Sequence, residues 1–144
     1  MFVPSVERDG VTAVDQPRWV NGALEMFGRV FGGATAYPKA QGIWRDDERS
    51  GALVKDEPVV VHCYTTPADI EDARNLAELG DFCRRMGRDA RQGEVGLVVG
   101  DEYFAIRDFA EEYQHLGAFS TRGCATQPNT VLIWTARIIR LPCQ

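Results

Sequence analysis

The chain has 144 residues, 44% of them hydrophobic, which is the size and apolar content of one ordinary domain with a full core. Its 16 Lys and Arg against 21 Asp and Glu give a formal net charge of -5. That balance argues against a nucleic-acid binder, which needs a positive surface to displace counterions from phosphates, and gives no attraction to an anionic membrane.

The first ten residues, MFVPSVERDG, have no basic segment followed by a long apolar run, so no secretory leader is expected. No stretch approaches the length of a membrane span. Cys63, Cys83, Cys124 and Cys143 are singly and widely spaced, unlike a dense disulfide framework. Reduced thiols in a cytoplasm are the simpler expectation.

In chain order, residues 2–6 form a short apolar segment with Pro4 inside it, which suits an edge strand or a strand entrance. Residues 7–10 read as a turn, and residues 11–14 suit either a short strand or a loop. Asp15-Gln16-Pro17 looks like a helix start, with Asp15 as the cap and proline in the first turn. Val20, Ala23, Leu24, Phe27 and Phe31 then recur at helical spacing, and Gly32-Gly33 ends the helix. Residues 34–45 favour extended structure interrupted by Pro38 and Gly42, as a bulged strand or a short strand and loop. The polar residues 46–51 suit a hairpin connection.

Residues 53–65, LVKDEPVVVHCYT, are the densest β-branched run and are expected to form one central strand. Val59, Val61 and Cys63 would face the core; Val60, His62 and Tyr64 would face the other way. Thr66 and Pro67 open a second helix, with Asp69 three residues after the cap. Leu76, Leu79, Cys83 and Met86 form its apolar stripe, continued by Ile70 and Ala73, and Gly87 marks its last turn. Residues 94–99 predict a strand, Gly100-Asp101-Glu102 a turn candidate, and residues 103–106 either a paired return strand or a continuation of the first strand after a bulge. Residues 108–116 are weakly helical, 119–129 are irregular, and 131–141 predict a final strand.

This order of strand, helix, strand, strand, helix, strand predicts an α+β, ferredoxin-like (split βαβ) antiparallel sheet over residues 1–107, with two helices on one face. Residues 108–144 are expected to form a C-terminal extension, ending in a strand, that packs on or extends the same domain. The alternative is a small α+β domain of different strand order. The open sheet face is expected to bind a ligand, pair with a second copy or receive the extension.

No nucleotide-cradle, zincin or Cys-x-x-Cys motif occurs. His62 and Cys63 are strand neighbours on opposite faces, so they cannot form a nucleophile–base pair. With His115 the chain has 2 histidines, and no metal or cofactor is expected. The polar and aromatic residues in or beside the sheet are Tyr37, Trp44, Arg45, Glu57, His62, Tyr64, Gln92 and Glu94. Arg45 is the natural counterion of Glu57 across a hairpin, chiefly as a structural pair. His62 or Glu94 would serve as the acid–base group of an enzyme, with Arg45 as anion anchor. Tyr37, Trp44, Arg45, Glu57 and Tyr64 are the candidate ligand contacts. Asp46, Asp47, Glu48, Asp101 and Glu102 read as solvated turn residues, since their spacing matches no calcium loop.

Gly33-Ala34-Thr35, then Gly42-Ile43-Trp44-Arg45, then Glu57 before a β-branched strand, resembles a family of small uncharacterised bacterial proteins. In that family a Gly-x-Thr segment precedes Gly-x-Trp and a glutamate opens the next strand. The resemblance spans residues 19–106 and implies no activity. Its members are usually predicted to be exported, whereas no leader is expected here. It singles out Trp44, Arg45 and Glu57 for mutation.

The expected function is self-assembly, as a homodimer, or small-ligand binding through the open sheet face. A small enzyme with a polar and aromatic pocket is the alternative. An RNA-binding sheet is a further one, opposed by the acidic balance.

Overall fold

The computed structural model describes residues 1–109. The expected helix over 108–116, the final strand over 131–141, His115, Cys124 and Cys143 lie outside, or all but outside, those residues. Within them the chain is a mixed α+β fold with antiparallel strand pairing throughout.

The first strand, β1 (Phe2–Val3), is short because Pro4 cannot donate to a ladder. Helix α1 (Gln16–Phe31) starts where Asp15 accepts from the Arg18 N–H and Pro17 occupies the first turn. It stops at Gly32, whose φ of 85° is the left-handed conformation that glycine adopts without strain. The buried face differs from the expected stripe. Trp19, Ala23, Met26 and Phe27 are buried with Gln16, while Val20, Leu24 and Phe31 pack at its edge. Trp19 fills more volume than Val20, and its edge meets the Phe82 ring at 5.9 Å.

Two short strands follow, β2 (Thr35–Ala36) and β3 (Gly42–Asp46), then a turn and β4 (Ala52–Asp56). The run expected as one central strand splits in two. Pro58 ends β4, and β5 (Val59–His62) begins a separate ladder. Val59 and Val61 are buried and Val60 and His62 are not, so the alternation within β5 is as expected. In the three-stranded sheet β5 lies between β1 and β2, antiparallel to both, and β3 and β4 form a hairpin of their own.

The second helix also splits. The capping box of Thr66 and Asp69 opens α2 (Pro67–Glu71), as the sequence predicts. Asp72 then adopts an extended conformation and caps α3 (Ala73–Asp89) by accepting from the Arg74 and Asn75 N–H groups. Leu79, Cys83 and Met86 are buried in α3 with Phe82, but Leu76 is exposed, because it lies in the first turn beside the break. Strands β6 (Val95–Val99) and β7 (Glu102–Ile106) form a hairpin whose two-residue turn places Gly100 at φ 64°. After β7, Phe109 lies so close over Gly87 of α3 that a Cβ there would clash.

The core lies between the sheet and α1 and α3. It joins Val3, Val59 and Val61 to Ala23, Met26, Phe27, Phe82, Cys83 and Met86, and to Val95 and Leu97 of β6. Strand β6 runs beside β1 without a ladder between them. Met1 is buried too, and its ammonium donates to the Val61 carbonyl at 2.9 Å. Burial lowers the pKa of that amine. No helix among the described residues is long and apolar enough to cross a membrane.

Candidate functional site

A cleft of about 290 Å³ lies on the side of the sheet away from the helices, and elements far apart in sequence build it. Phe2 faces into it because Val3, its neighbour on β1, faces the core. From the β3–β4 hairpin come Trp44, Asp46, Val54 and Asp56, which alternate with the outward-facing Ile43, Leu53 and Lys55, and Arg45 and Asp47 reach the rim. Trp44 meets the Phe2 ring edge-on at 6.1 Å. The third wall is the β6–β7 hairpin, with Glu94, Gly96, Tyr103 and Arg107.

Hydrogen bonds lock these walls together. Arg8 donates through Nε and Nη2 to the two carboxylate oxygens of Asp46, at 3.1 and 2.8 Å. The loop that carries Arg8 is held by Asp9, whose carboxylate accepts from the Thr12 hydroxyl and from the N–H groups of Val11 and Thr12. Those bonds bring the Asp9 carboxyl down to about 2. Ser5 donates from its backbone N–H and its hydroxyl to Oδ1 of Asp56, at 2.8 and 2.6 Å, and its hydroxyl oxygen accepts from the Glu57 N–H at 3.0 Å. The buried Gln16 amide donates to the carbonyls of Val3 and Glu57.

On the third wall, Tyr103 donates to Glu94 Oε1 at 2.5 Å, and Arg107 donates from Nε to Oε2 at 2.9 Å. The Tyr103 hydroxyl reaches Glu94 across Gly96, where a Cβ would come within 2.6 Å of it. Burial, then the hydrogen bond to Glu94 and its charge, raise the Tyr103 pKa, so the phenol keeps its proton at neutral pH. This ring also has a structural use, because it covers a strand glycine as aromatic residues do in antiparallel pairs. The Glu94 carboxylate is held by both neighbours.

The sequence-derived candidates fall into separate places. Trp44, Arg45, Gln92 and Glu94 line the cleft. The expected Arg45–Glu57 pair does not form. Register places Arg45 opposite Leu53, and its guanidinium meets Asp47 at 2.6 Å, while Glu57 lies 3.6 Å from Lys39. Glu57 falls just past the end of β4, beyond the reach of a cross-strand partner there. Gln92 is structural, since its amide donates to the carbonyls of Val6 and Ala90.

Tyr37, His62 and Tyr64 gather elsewhere, on the β2–β5 side. His62 meets Tyr64 edge-on at 4.7 Å, with Tyr37 at 6.3 Å. His62 and Tyr64 line a shallow depression beside Gly32 and Gly33 that shares no residue with the cleft. His62 and Glu94 therefore do not converge on one site. Cys63 is half-buried, and burial pushes its thiol up. Among the described residues, no group of three or more His, Cys, Asp or Glu side chains is placed to hold a metal ion.

Sequence reasoning missed Ser5, Arg8, Asp46 as a buried partner, Asp56, Tyr103 and Arg107. Hairpin register alone would have found Arg107 opposite Glu94, one pair beyond Val95 and Ile106. Nothing local could have joined Arg8 to Asp46.

Fold and cleft together define a small mixed α+β domain with a polar and aromatic cleft on its sheet side. No protein-family model, curated protein or solved structure matches the chain.

Proposed function

We propose that this protein is a small-ligand-binding domain of ferredoxin-like build that uses the cleft roofed by its β3–β4 hairpin. The observation that carries the reading is the cleft itself. It combines an aromatic wall, Phe2 and Trp44, with charged side chains held rigidly by one another. Its volume sits at the small end of the range for ligand pockets, roughly 300 Å³ and upwards. The ferredoxin-like build is supported by the order β1-β5-β2, with β6 beside β1 and with α1 and α3 as the two crossover helices.

A fragment screen read by tryptophan fluorescence and protein NMR tests the proposal. Bound fragments are expected to shift Trp44 and Tyr103 and to spare Tyr37 and Tyr64. Fragments that gather at His62 and Tyr64, or none at all, count against it.

A second reading is self-association as a homodimer. Its observation is the outer face of the hairpin, where Ile43 and Leu53 are exposed to 63% and 70%. Light scattering on a sizing column across a concentration series is expected to give about twice the 16.0 kDa of one chain. A mass of one chain at every concentration removes this reading.

A further inference from the structure

We infer that the cleft takes a small organic cation, a primary ammonium on a short apolar or aromatic body. Its charge would sit on the open carboxylate oxygen of Asp56 and its body against Phe2 and Trp44. The inference rests on the ligand-binding reading above and names the ligand class for that site.

The charged groups that line the cleft sort into pairs with one exception. Arg8 holds Asp46, Arg45 holds Asp47, and Arg107 holds Glu94. Glu7 lies 3.6 Å from Arg91. Asp56 has no cationic partner among the described residues. It is 9% exposed, and its hydrogen bonds, both from Ser5, fall on Oδ1. Oδ2 is not sealed away, because no buried side-chain oxygen or nitrogen among the described residues lacks a partner. Asp56 itself lines the cleft, which is where we place the ligand of that oxygen.

A carboxylate that has lost most of its water on one side and has an open oxygen on the other is best completed by a positively charged donor. The single open oxygen decides between cations. Oδ1 is taken up by Ser5, so the planar fork of a guanidinium finds no two-oxygen face, whereas an ammonium acts as a point charge. An anion is opposed by the lining, where the carboxylates outnumber the guanidinium groups. A neutral hydroxyl would supply the hydrogen bond without the charge. The faces of Trp44 and Phe2 add attraction for a cation and cover for an apolar body.

The full chain is titrated with 2-phenylethylamine, 2-phenylethanol and 3-phenylpropionate, followed by tryptophan fluorescence and by calorimetry. The amine is expected to bind saturably and at least about tenfold more tightly than the alcohol, with the propionate weakest. Asp56→Asn keeps an acceptor for Ser5 and is expected to abolish the preference for the amine while leaving the circular dichroism unchanged. Glu57→Gln, outside the cleft, is expected to change nothing. If Asp56→Asn fails to fold, the charge series on the unaltered protein decides alone. Equal binding of the alcohol or the propionate, or an amine preference that survives in Asp56→Asn, overturns the inference and leaves the cleft reading standing. Silence from all three probes up to about 10 mM also overturns it. The fragment screen then judges the cleft reading separately.

Discussion

At the residue scale, single side chains fix loops that would otherwise be free to move. Asp9 is exposed, yet three donors within four residues hold its carboxylate. A carboxyl whose folded pKa is depressed stabilises the fold above its unfolded value, near 4, and that contribution is lost as pH falls through the folded value, here about 2. NMR titration of the Asp9 side chain is expected to show a midpoint near 2, and Thr12→Val is expected to raise it. An unshifted midpoint in the unaltered protein would mean that the turn is not formed in solution. Cys83 makes the opposite case. Burial pushes its thiol up to about 12, so it is a core residue and not a nucleophile. The sequence placed it correctly from helical spacing alone.

At the element scale, the strands are short and their ends are set by particular residues. Pro58 separates β4 from β5, and Asp72 separates α2 from α3. Both breaks were hard to read, since the β-branched run continues across Pro58 and the helical periodicity continues across Asp72. Gly96 is the position that lets the β6–β7 hairpin carry a site. A side chain there would collide with the Tyr103 hydroxyl and crowd Phe2. Gly96→Val is therefore expected to cost about 1–3 kcal/mol in urea unfolding, from overpacking. Tyr103→Phe, which keeps the ring and loses the bond to Glu94, is expected to cost about 1 kcal/mol. Equal and negligible costs for both would mean that the ring does not lie over Gly96.

At the scale of the whole molecule, the three-stranded sheet and the β6–β7 hairpin share one core, and the β3–β4 hairpin, outside that core, roofs part of the sheet face that the helices leave open. The roof turns a flat face into a cleft. It also leaves Ile43 and Leu53 on the outside, where a second copy would bury them. Leu53→Lys is expected to halve the measured mass if this face pairs, with no change in far-ultraviolet circular dichroism. A dimer that persists in this variant would move the interface elsewhere.

By itself the sequence determined local features: the Asp15 and Thr66 caps, the Gly32 stop, the alternation in β5 and the turn after β6. Each of these follows from interactions within a few residues, so local chemistry decides them. It also named Trp44 and Glu94, a large aromatic and a carboxylate in or beside predicted strands. The tertiary structure alone decided which charges pair. Arg8 and Asp46, or Ser5 and Asp56, lie tens of residues apart, and no periodicity links them. The same long-range packing separated His62 from Glu94 and left Asp56 as the cleft carboxylate without a cation. An electrostatic partner is chosen by distance in space, and a sequence orders residues only along the chain.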